Sequence, residues 1–446
     1  MTRLKEAQEL ETEVQTGALY QLTGKISYLN AFPYSLQQVL CMFVTNMVPL
    51  GLVTAAAIPA LSSEEQMKLL QVVMIVAGAA TFFQSTPFWR FGSGFPIFMG
   101  ASFTFVAALT AVASKYGYGA VMGSVIAGGL LEGILGLLAL NWRKLISPIV
   151  SGLVVTGIGF SLLSTAIRSF GGGYNEDFGS WQNLLIGFVT LSACVLWMVL
   201  TKGNIRQLSI LIGLVAGYIT AALLGKVELS GILSGSKFAF PQFLPYQPIF
   251  KLDAILSVCI VFAVSATETI GDTSAVAAGA LHRETEPREL SGALTIDGFG
   301  SMVSGLFGCI PVTSYSENIG LTVMTGVVNR RVGRLGGLIM ILCGLLPTVG
   351  RFFATVPTSV IGGILVMVLG QIMVSGFQMI AEAGFTERNK LIAAVSLSLG
   401  IGSTASEVMG IWNVFPQGIQ TVFSQNVVAI IFVVALLLNT LLPKTK

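Results

Sequence analysis

From about residue 31 to the last residues, the chain alternates long apolar runs with short polar joints. VVMIVAGAATFF, VIAGGLLEGILGLLALNW and NVVAIIFVVALLLNTLLP are three of these runs. An apolar helix of about 20 residues crosses the hydrocarbon core of a bilayer. The pattern predicts fourteen spans, centred near residues 44, 77, 103, 130, 157, 192, 215, 265, 300, 321, 343, 368, 399 and 431. Those near 103 and 321 are short and are interrupted by Gly, Pro and polar residues. The first 30 residues, MTRLKEAQELETEVQTGALYQLTGKISYLN, are polar and lack the apolar stretch of a secretory signal peptide. They read as a cytosolic tail.

An even number of spans puts both termini on one side. Arg90, Arg143, Lys144, Lys202, Arg206, Arg283, Arg288, Arg330, Arg331, Arg334, Arg388 and Lys390 fall on that side, with Lys444 and Lys446 of the tail. The other side holds only Lys68, Lys115, Arg168, Lys226, Lys237, Lys251 and Arg351. The positive-inside rule then places both termini in the cytoplasm and the chain in the cytoplasmic membrane.

Composition agrees. The chain is 54% hydrophobic and 10% charged, against about 25% charged in a soluble domain. Its 51 glycines suit close helix packing in lipid. The five cysteines, at 41, 194, 259, 309 and 343, stand singly in apolar runs with no metal or disulfide spacing. The one histidine, His282, lies in a polar joint, so a histidine-based metal site or triad is not expected. A net charge of +3 gives no reason to expect nucleic acid as a partner. No nucleophile–base constellation suggests an enzyme, and no cofactor or metal is expected.

The two halves resemble each other. SPIVSGLVVTGIGFSLL (147–163) reads like VPTSVIGGILVMVLGQIM (356–373), and the two interrupted spans, GFPIFMGASFTF and PVTSYSENIGLT, fall at a similar offset. Seven spans per half is odd, so the second half enters the membrane from the opposite side, as an inverted repeat. Paired broken segments then mark a substrate site near the midplane. Chance similarity between apolar runs is the competing reading.

Polar residues inside the apolar runs are the candidates for function. Glu268 and Asp272, in SATETIGDTSA, are four apart and share a helix face. Two adjacent carboxylates in a dry site are not both expected to be ionised; the alternative is a helix-end pair facing water. Asp297, in LTIDGFGS, either supports its neighbours by hydrogen bonds or acts directly. YSENIGLTVMTG supplies Tyr315, Ser316, Glu317 and Asn318, and GASFTF supplies Phe103 and a small-residue backbone that includes Ala101. Carboxylates, an amide, backbone N–H groups and aromatic faces suit a small, planar, uncharged molecule rich in N–H and C=O. They would repel a simple anion.

These residues resemble the nucleobase–ascorbate transporters, or uracil/xanthine permeases. The signature of that family is Gln, Glu or Pro, then Asn-x-Gly, four variable residues, Thr, and Arg, Lys or Gly. ENIGLTVMTG satisfies every position from Glu317 to Gly326. The likeness extends to SLQQVLCMF, GASFTF, SPIVSGLVV, ATETIGDTSA, IDGFGS and NKLIAAVSLSLGIG. It implies an all-α polytopic membrane protein of 14 spans in a 7+7 inverted repeat, with short strands in spans 3 and 10. After a tail over 1–30, it implies a core domain from 31–142 and 251–355 and a gate domain from 143–250 and 356–446, a homodimer, an elevator-type motion and coupling to protons. It makes Glu268 and Glu317 the principal substrate ligands, beside Phe103, Tyr315, Ala101 and Ser316. Asp272, Asp297, Asn318 and Gln38 become proton-coupling or supporting residues. Many members carry Gln-His in the first span, where this chain has Gln37-Gln38. Glu317 resembles uracil members, while Gly271-Asp272 and Gly326 resemble purine members. The expected function is proton-coupled uptake of a purine such as xanthine, with a uracil permease and a sulfate-permease-type anion transporter as the alternatives.

Overall fold

The computed structural model describes residues 17–139, 147–173, 176–227, 240–424 and 426–443. The basic residues Arg143, Lys144, Lys237, Lys444 and Lys446 and the first 16 residues lie outside these ranges. The first expected span is split. Helix α1 (Tyr28–Met42) ends before residue 43 and α2 (Val48–Ala55) resumes after a short break. A capping box of Ser62 and Glu65 starts α3 (Ser63–Gln84), satisfying two backbone donors that a helix start otherwise leaves open. Strand β1 (Met99–Ala101) follows, then a 3-10 turn over Phe103–Phe105 that runs into α4 (Val106–Tyr116) and α5 (Tyr118–Leu137). Proline in the first turn opens α6 (Pro148–Phe170), a place where its missing N–H does no harm. Next come α7 (Trp181–Leu200), α8 (Ser209–Leu223), α9 (Leu252–Leu281) and α10 (Pro287–Leu306). Strand β2 (Val312–Ser314) leads into α11 (Ser316–Thr325), then α12 (Arg330–Leu345), α13 (Pro347–Ala354), α14 (Thr358–Glu382), α15 (Glu387–Gly402), α16 (Gln417–Phe423) and α17 (Val427–Leu441).

Among the described residues, six helices are each long and apolar enough to cross a membrane: α3, α5, α6, α7, α9 and α14. The pair α12–α13, bent by 80°, makes a seventh if taken as one span. The protein is thus a multi-pass membrane protein. The other apolar stretches fall short for visible reasons. The first is broken at 43–47, those near 103 and 321 are each part strand and part helix, and α8 and α17 have 15 residues each. Helix α10 mixes Arg288, Glu289 and Asp297 with small residues.

Two large apolar cores divide the molecule. One joins α2, α3, β1, α4, α5 and α9 around residues such as Val73, Phe98, Phe105 and Phe262. The other joins α6, α7, α8, α14, α15 and α17 around Leu153, Ile186, Val360 and Ile431. Phe103, Val106 and Val264 belong to the second core although their elements lie in the first, so the boundary runs past the 3-10 turn. Glycine permits the close crossings. A Cβ at Gly362 on α14 would stand 2.0 Å from the Phe170 nitrogen at the end of α6, the small-residue contact expected of helices in lipid.

From residue 17 onward the polar N-terminal segment is docked against the joint that follows α11. Ala18, Leu19 and Ile26 are buried with Val327 and Val332. The Asn329 amide nitrogen lies 2.9, 3.1 and 2.8 Å from the carbonyls of Ala18, Gln21 and Gly24, and the Leu19 carbonyl accepts from the N–H groups of Val328 and Asn329. Asn329→Ala removes the side-chain bonds, a loss of roughly 1–3 kcal/mol for unsatisfied buried carbonyls. Limited proteolysis should then cut within residues 17–26 faster than in the parent protein, with the spans intact. An unchanged cleavage rate would assign the docking to the apolar contacts and the backbone hydrogen bonds.

Candidate substrate site

The two strands pair antiparallel, Met99 with Ser314, Gly100 with Thr313 and Ala101 with Val312. Extended backbone at membrane depth is stable only where protein surrounds it and satisfies its polar groups. Here the surrounding helices do so. The Ala101 N–H donates to Asn46 Oδ1 at 2.6 Å and the Met99 N–H to Thr81 Oγ1 at 2.9 Å. The Val312 N–H donates to Ser301 Oγ at 3.2 Å. The Ser102 N–H donates to the Pro311 carbonyl and the Tyr315 N–H to the Phe98 carbonyl. Gly100 is required by contact: a Cβ there would stand 2.6 Å from the Tyr315 ring and 2.9 Å from Asn46 Oδ1. Each strand runs straight into a helical first turn, at Phe103 and at Ser316. The N–H groups of a first turn have no partner within their own helix and carry the positive end of its dipole.

A cavity lies where these two first turns meet α9. Ser102, Phe103 and Thr104 line it from one side, and the stretch from Thr313 to Glu317 from the other. Glu268 of α9 completes that wall. The facing wall comes from two helices of the second core: Val155 and Ile158 of α6, and Gln371, Ile372 and Ser375 of α14. The lining contains no Lys or Arg. Glu268 Oε2 accepts from Thr104 Oγ1 at 2.8 Å, and Ser316 Oγ lies 3.5 Å from Oε1. Glu317 occupies the first turn of α11, and its Oε1 has no hydrogen-bond partner among the described residues. Glu268, Asp272 and Glu317 lie within electrostatic reach of one another.

Among the residues singled out in the sequence, Glu268, Glu317, Phe103, Tyr315 and Ser316 come together in the lining. Asp272 stands behind it, where it accepts from Ser314 Oγ at 2.7 Å and from Ser316 Oγ at 3.0 Å. This α9 pair is not at a helix end in water, because the helix continues to Leu281 and Asp272 is buried. Asp297 is deeper still: fully buried, it accepts from the Thr269 hydroxyl, which is 3.2 Å from Ser314 Oγ. Ala101 is fully buried in β1 with its N–H already given to Asn46, and it lies outside the lining; Ser102 is the first residue of the stretch to reach the cavity. Asn318 and Gln38 are also outside it. The Asn318 side-chain amide donates to the Gln38 carbonyl at 3.0 Å, and the Gln38 side-chain amide donates to Thr322 Oγ1 at 3.1 Å. Together they tie α1 to α11.

Several residues of the site were not singled out in the sequence. Thr104 holds Glu268, and Asn46 holds β1. Gln371 and Ser375 face the acids, and the Gln371 side-chain amide donates to the Met198 sulfur at 3.4 Å. Polar residues four apart in the apolar run of α14 were the available signal. Glu132, the one acid in VIAGGLLEGILGLLALNW, was a further one.

The family model described as "Permease family" (Xan_ur_permease) matches residues 29–409. The chain belongs to this family, the nucleobase–ascorbate transporters. Among its relatives, the uric acid permease PucK of Bacillus subtilis is 32% identical over 379 residues, covering 83% of this chain and 86% of that protein. The xanthine permease of B. subtilis is 33% identical over 400 residues, covering 88% and 90%. The xanthine permease XanQ of Escherichia coli K12 is 30% identical over 441 residues, covering 95% and 94%. Among solved structures, the transmembrane domain of the cyanobacterial bicarbonate transporter BicA superposes with a TM-score of 0.57 at 18% identity, covering 90% of this chain and 96% of that one. SLC26A9 superposes with a TM-score of 0.58 at 12% identity, covering 82% and 62%. These two likenesses establish a shared transporter fold and nothing about the cargo. For this nucleobase–ascorbate family member, Gly100→Val should drive the Tyr315 ring off its place. Nucleobase uptake is then expected to fall about tenfold or more while the amount of folded protein, scored by size exclusion, is retained. Undiminished uptake would show that the ring position is immaterial.

Proposed function

We propose that the protein carries a purine such as xanthine into the cell together with protons, by an elevator-type movement. The observation that carries this reading is the cavity itself: two carboxylates, Glu268 and Glu317, beside the rings of Phe103 and Tyr315, with no basic side chain in the lining. A carboxylate accepts ring N–H bonds, first-turn N–H groups donate to ring carbonyls, and aromatic faces take a planar ring. The names of the uric acid and xanthine permeases among its relatives point the same way. In the proposed cycle a proton and a neutral base enter from outside. Glu268 accepts from the ring, and Glu317 accepts a further bond or, when protonated, donates to a carbonyl. Loading neutralises the site and lowers the electrostatic cost of its movement. Release and deprotonation follow inside.

The anion-transporter alternative has the shared fold in its favour and the lining against it. Glu317 already sits at the positive end of α11, and the residue that meets Glu268 is Thr104 in the other first turn. The dipoles that would attract an anion are therefore answered by the protein's own acids. A uracil permease remains the alternative within the family. Gly326, one of the purine-like positions, closes α11 in the left-handed region at φ 68°, outside the cavity. Asp272 and the α14 wall are the better guides to the cargo.

The fourteen-span 7+7 repeat belongs to the same proposal, and helix pairing supports it. Extensive contacts join α6 to α14, α5 to α10 and α3 to α12. If the halves are exchanged, α6 and α14 swap, and the pair α3–α12 becomes the pair α10–α5. The paired strands exchange likewise. The two apolar cores support a core domain (31–142 and 251–355) against a gate (143–250 and 356–446), with the cavity between them. Cytosolic termini, the cytoplasmic membrane and a homodimer complete the reading.

Uptake of radiolabelled xanthine and uracil, in cells lacking their own permeases, tests it. Xanthine should accumulate, a protonophore should abolish the accumulation, and inorganic anions should not compete. Uracil uptake alone would favour the alternative cargo, and sensitivity to anions alone would favour the other transporter class. Glu268→Gln should abolish transport with the protein still in the membrane; normal uptake by that variant would remove the central claim. Gln371→Ala should weaken xanthine binding by about five- to tenfold, the loss of one hydrogen bond to the base from the gate side.

A further inference from the structure

Helix α5 carries a carboxylate that the proposed cycle does not use. Glu132 is fully buried, and neither of its oxygens has a hydrogen-bond partner among the described residues. Its surroundings are set by a tight crossing of α5 and α10. A Cβ at Gly298 would stand 2.0 Å from the Gly133 nitrogen and 2.5 Å from the Glu132 carbonyl carbon. Asp297 is the residue before that contact. The charged groups acting on Glu132 are Asp297 from α10 and Glu268 from α9. Helix α4 also packs on α5, but its titratable groups, Lys115 and Tyr116, engage Asp253. They lie beside the opposite end of α5, about 20 Å along its axis. An ionised carboxylate without a partner in such a place is very costly. Glu132 is stable there when it holds a proton or shares one with a neighbour.

A chain of side chains connects this neighbourhood to the cavity. Ser316, in the lining, lies 3.0 Å from Asp272 Oδ1. Ser314 donates to Asp272 Oδ2 at 2.7 Å and lies 3.2 Å from Thr269 Oγ1, which donates to Asp297. In order the chain runs from the Ser316 hydroxyl to the Asp272 carboxyl, then through two successive hydroxyls, Ser314 and Thr269, to the Asp297 carboxyl. A hydroxyl, or a carboxyl that holds a proton, can both donate and accept. The chain begins at the cavity lining and ends at Asp297, the neighbour of Gly298 at the α5–α10 crossing where Glu132 lies.

We propose that Glu132 is the inner proton-holding residue of this transporter, exchanging one proton with Asp297 and so keeping the coupled proton apart from the base. The inference rests on the proton-coupled reading given above. When the proton leaves the Glu132 carboxyl, the Asp297 carboxylate takes it, so the pair keeps a single negative charge. Each hydroxyl of the chain passes a proton on by accepting one from one neighbour and giving one to the next.

Purified protein in proteoliposomes with an internal pH-sensitive dye provides the test. Two quantities are read: xanthine counterflow without any gradient, and proton influx accompanying xanthine, with pH-driven accumulation. Glu132→Gln keeps the shape and removes the exchangeable proton. It should retain counterflow within about threefold and lose about tenfold or more of the proton influx and of the accumulation. A side chain that merely fills space would leave both readouts at the parent level, and that result overturns the inference. Should the Gln variant fail to fold, Glu132→Asp keeps a carboxyl on a shorter stem. It should remain coupled with a displaced pH profile, and an undisplaced profile overturns the inference. A parent protein that exchanges xanthine but moves no protons would instead overturn the coupling reading from which the inference starts.

Discussion

Inside a bilayer no water is available to satisfy a stray N–H or C=O, so every non-helical backbone group must find a protein partner. The β1–β2 pair is where this protein meets that constraint. Two three-residue strands satisfy one another, and Asn46, Thr81 and Ser301 bind the groups that remain. The break between α1 and α2 follows from the same need, since it contains the Asn46 that reaches β1. Gly100 is small because the Tyr315 ring must pass it. Once the strands are fixed, the two first turns after them are fixed as well, and with them the floor of the cavity.

Electrostatics then divides the acids by depth. Glu268 and Glu317 reach the cavity, Asp272 is one hydroxyl behind it, Asp297 is two hydroxyls behind, and Glu132 is fully buried outside the lining. Serine and threonine hydroxyls join most of these layers. A polar network in so dry a place is favourable only when its groups are satisfied or neutral. The unpartnered oxygens of Glu132, Asp297 and Glu317 are therefore the ones whose protonation the rest of the structure leaves open to change.

The shared fold illustrates how little architecture says about cargo. A bicarbonate transporter domain and SLC26A9 superpose on this chain, yet the cavity here is lined by acids and aromatics without a basic residue. A helix start facing a cavity is neutral as to what it binds until the neighbouring side chains are known. In this chain those neighbours are Glu317, at the start of α11, and Glu268, on a helix that comes from elsewhere in the sequence.

Much of this was legible in the chain by itself. Apolar runs and sparse charge determined a polytopic helical membrane protein, because burying a polar group in lipid is so costly that composition alone records it. The signature from Glu317 to Gly326 fixed the family, and the acids of α9 stood out against their apolar background. The sequence could not show that Ala101 spends its N–H on Asn46, or that Asn318 and Gln38 tie α1 to α11 instead of facing the cavity. Nor could it show that Gln371 of α14 faces Glu268 across the site, or that Glu132 and Asp297 share one neighbourhood. Those pairings join residues far apart in the chain, from 55 positions for Ala101 and Asn46 to 280 for Asn318 and Gln38. Hydrophobic periodicity tells which face of a helix is buried; only the packing of one helix on another decides what that face meets.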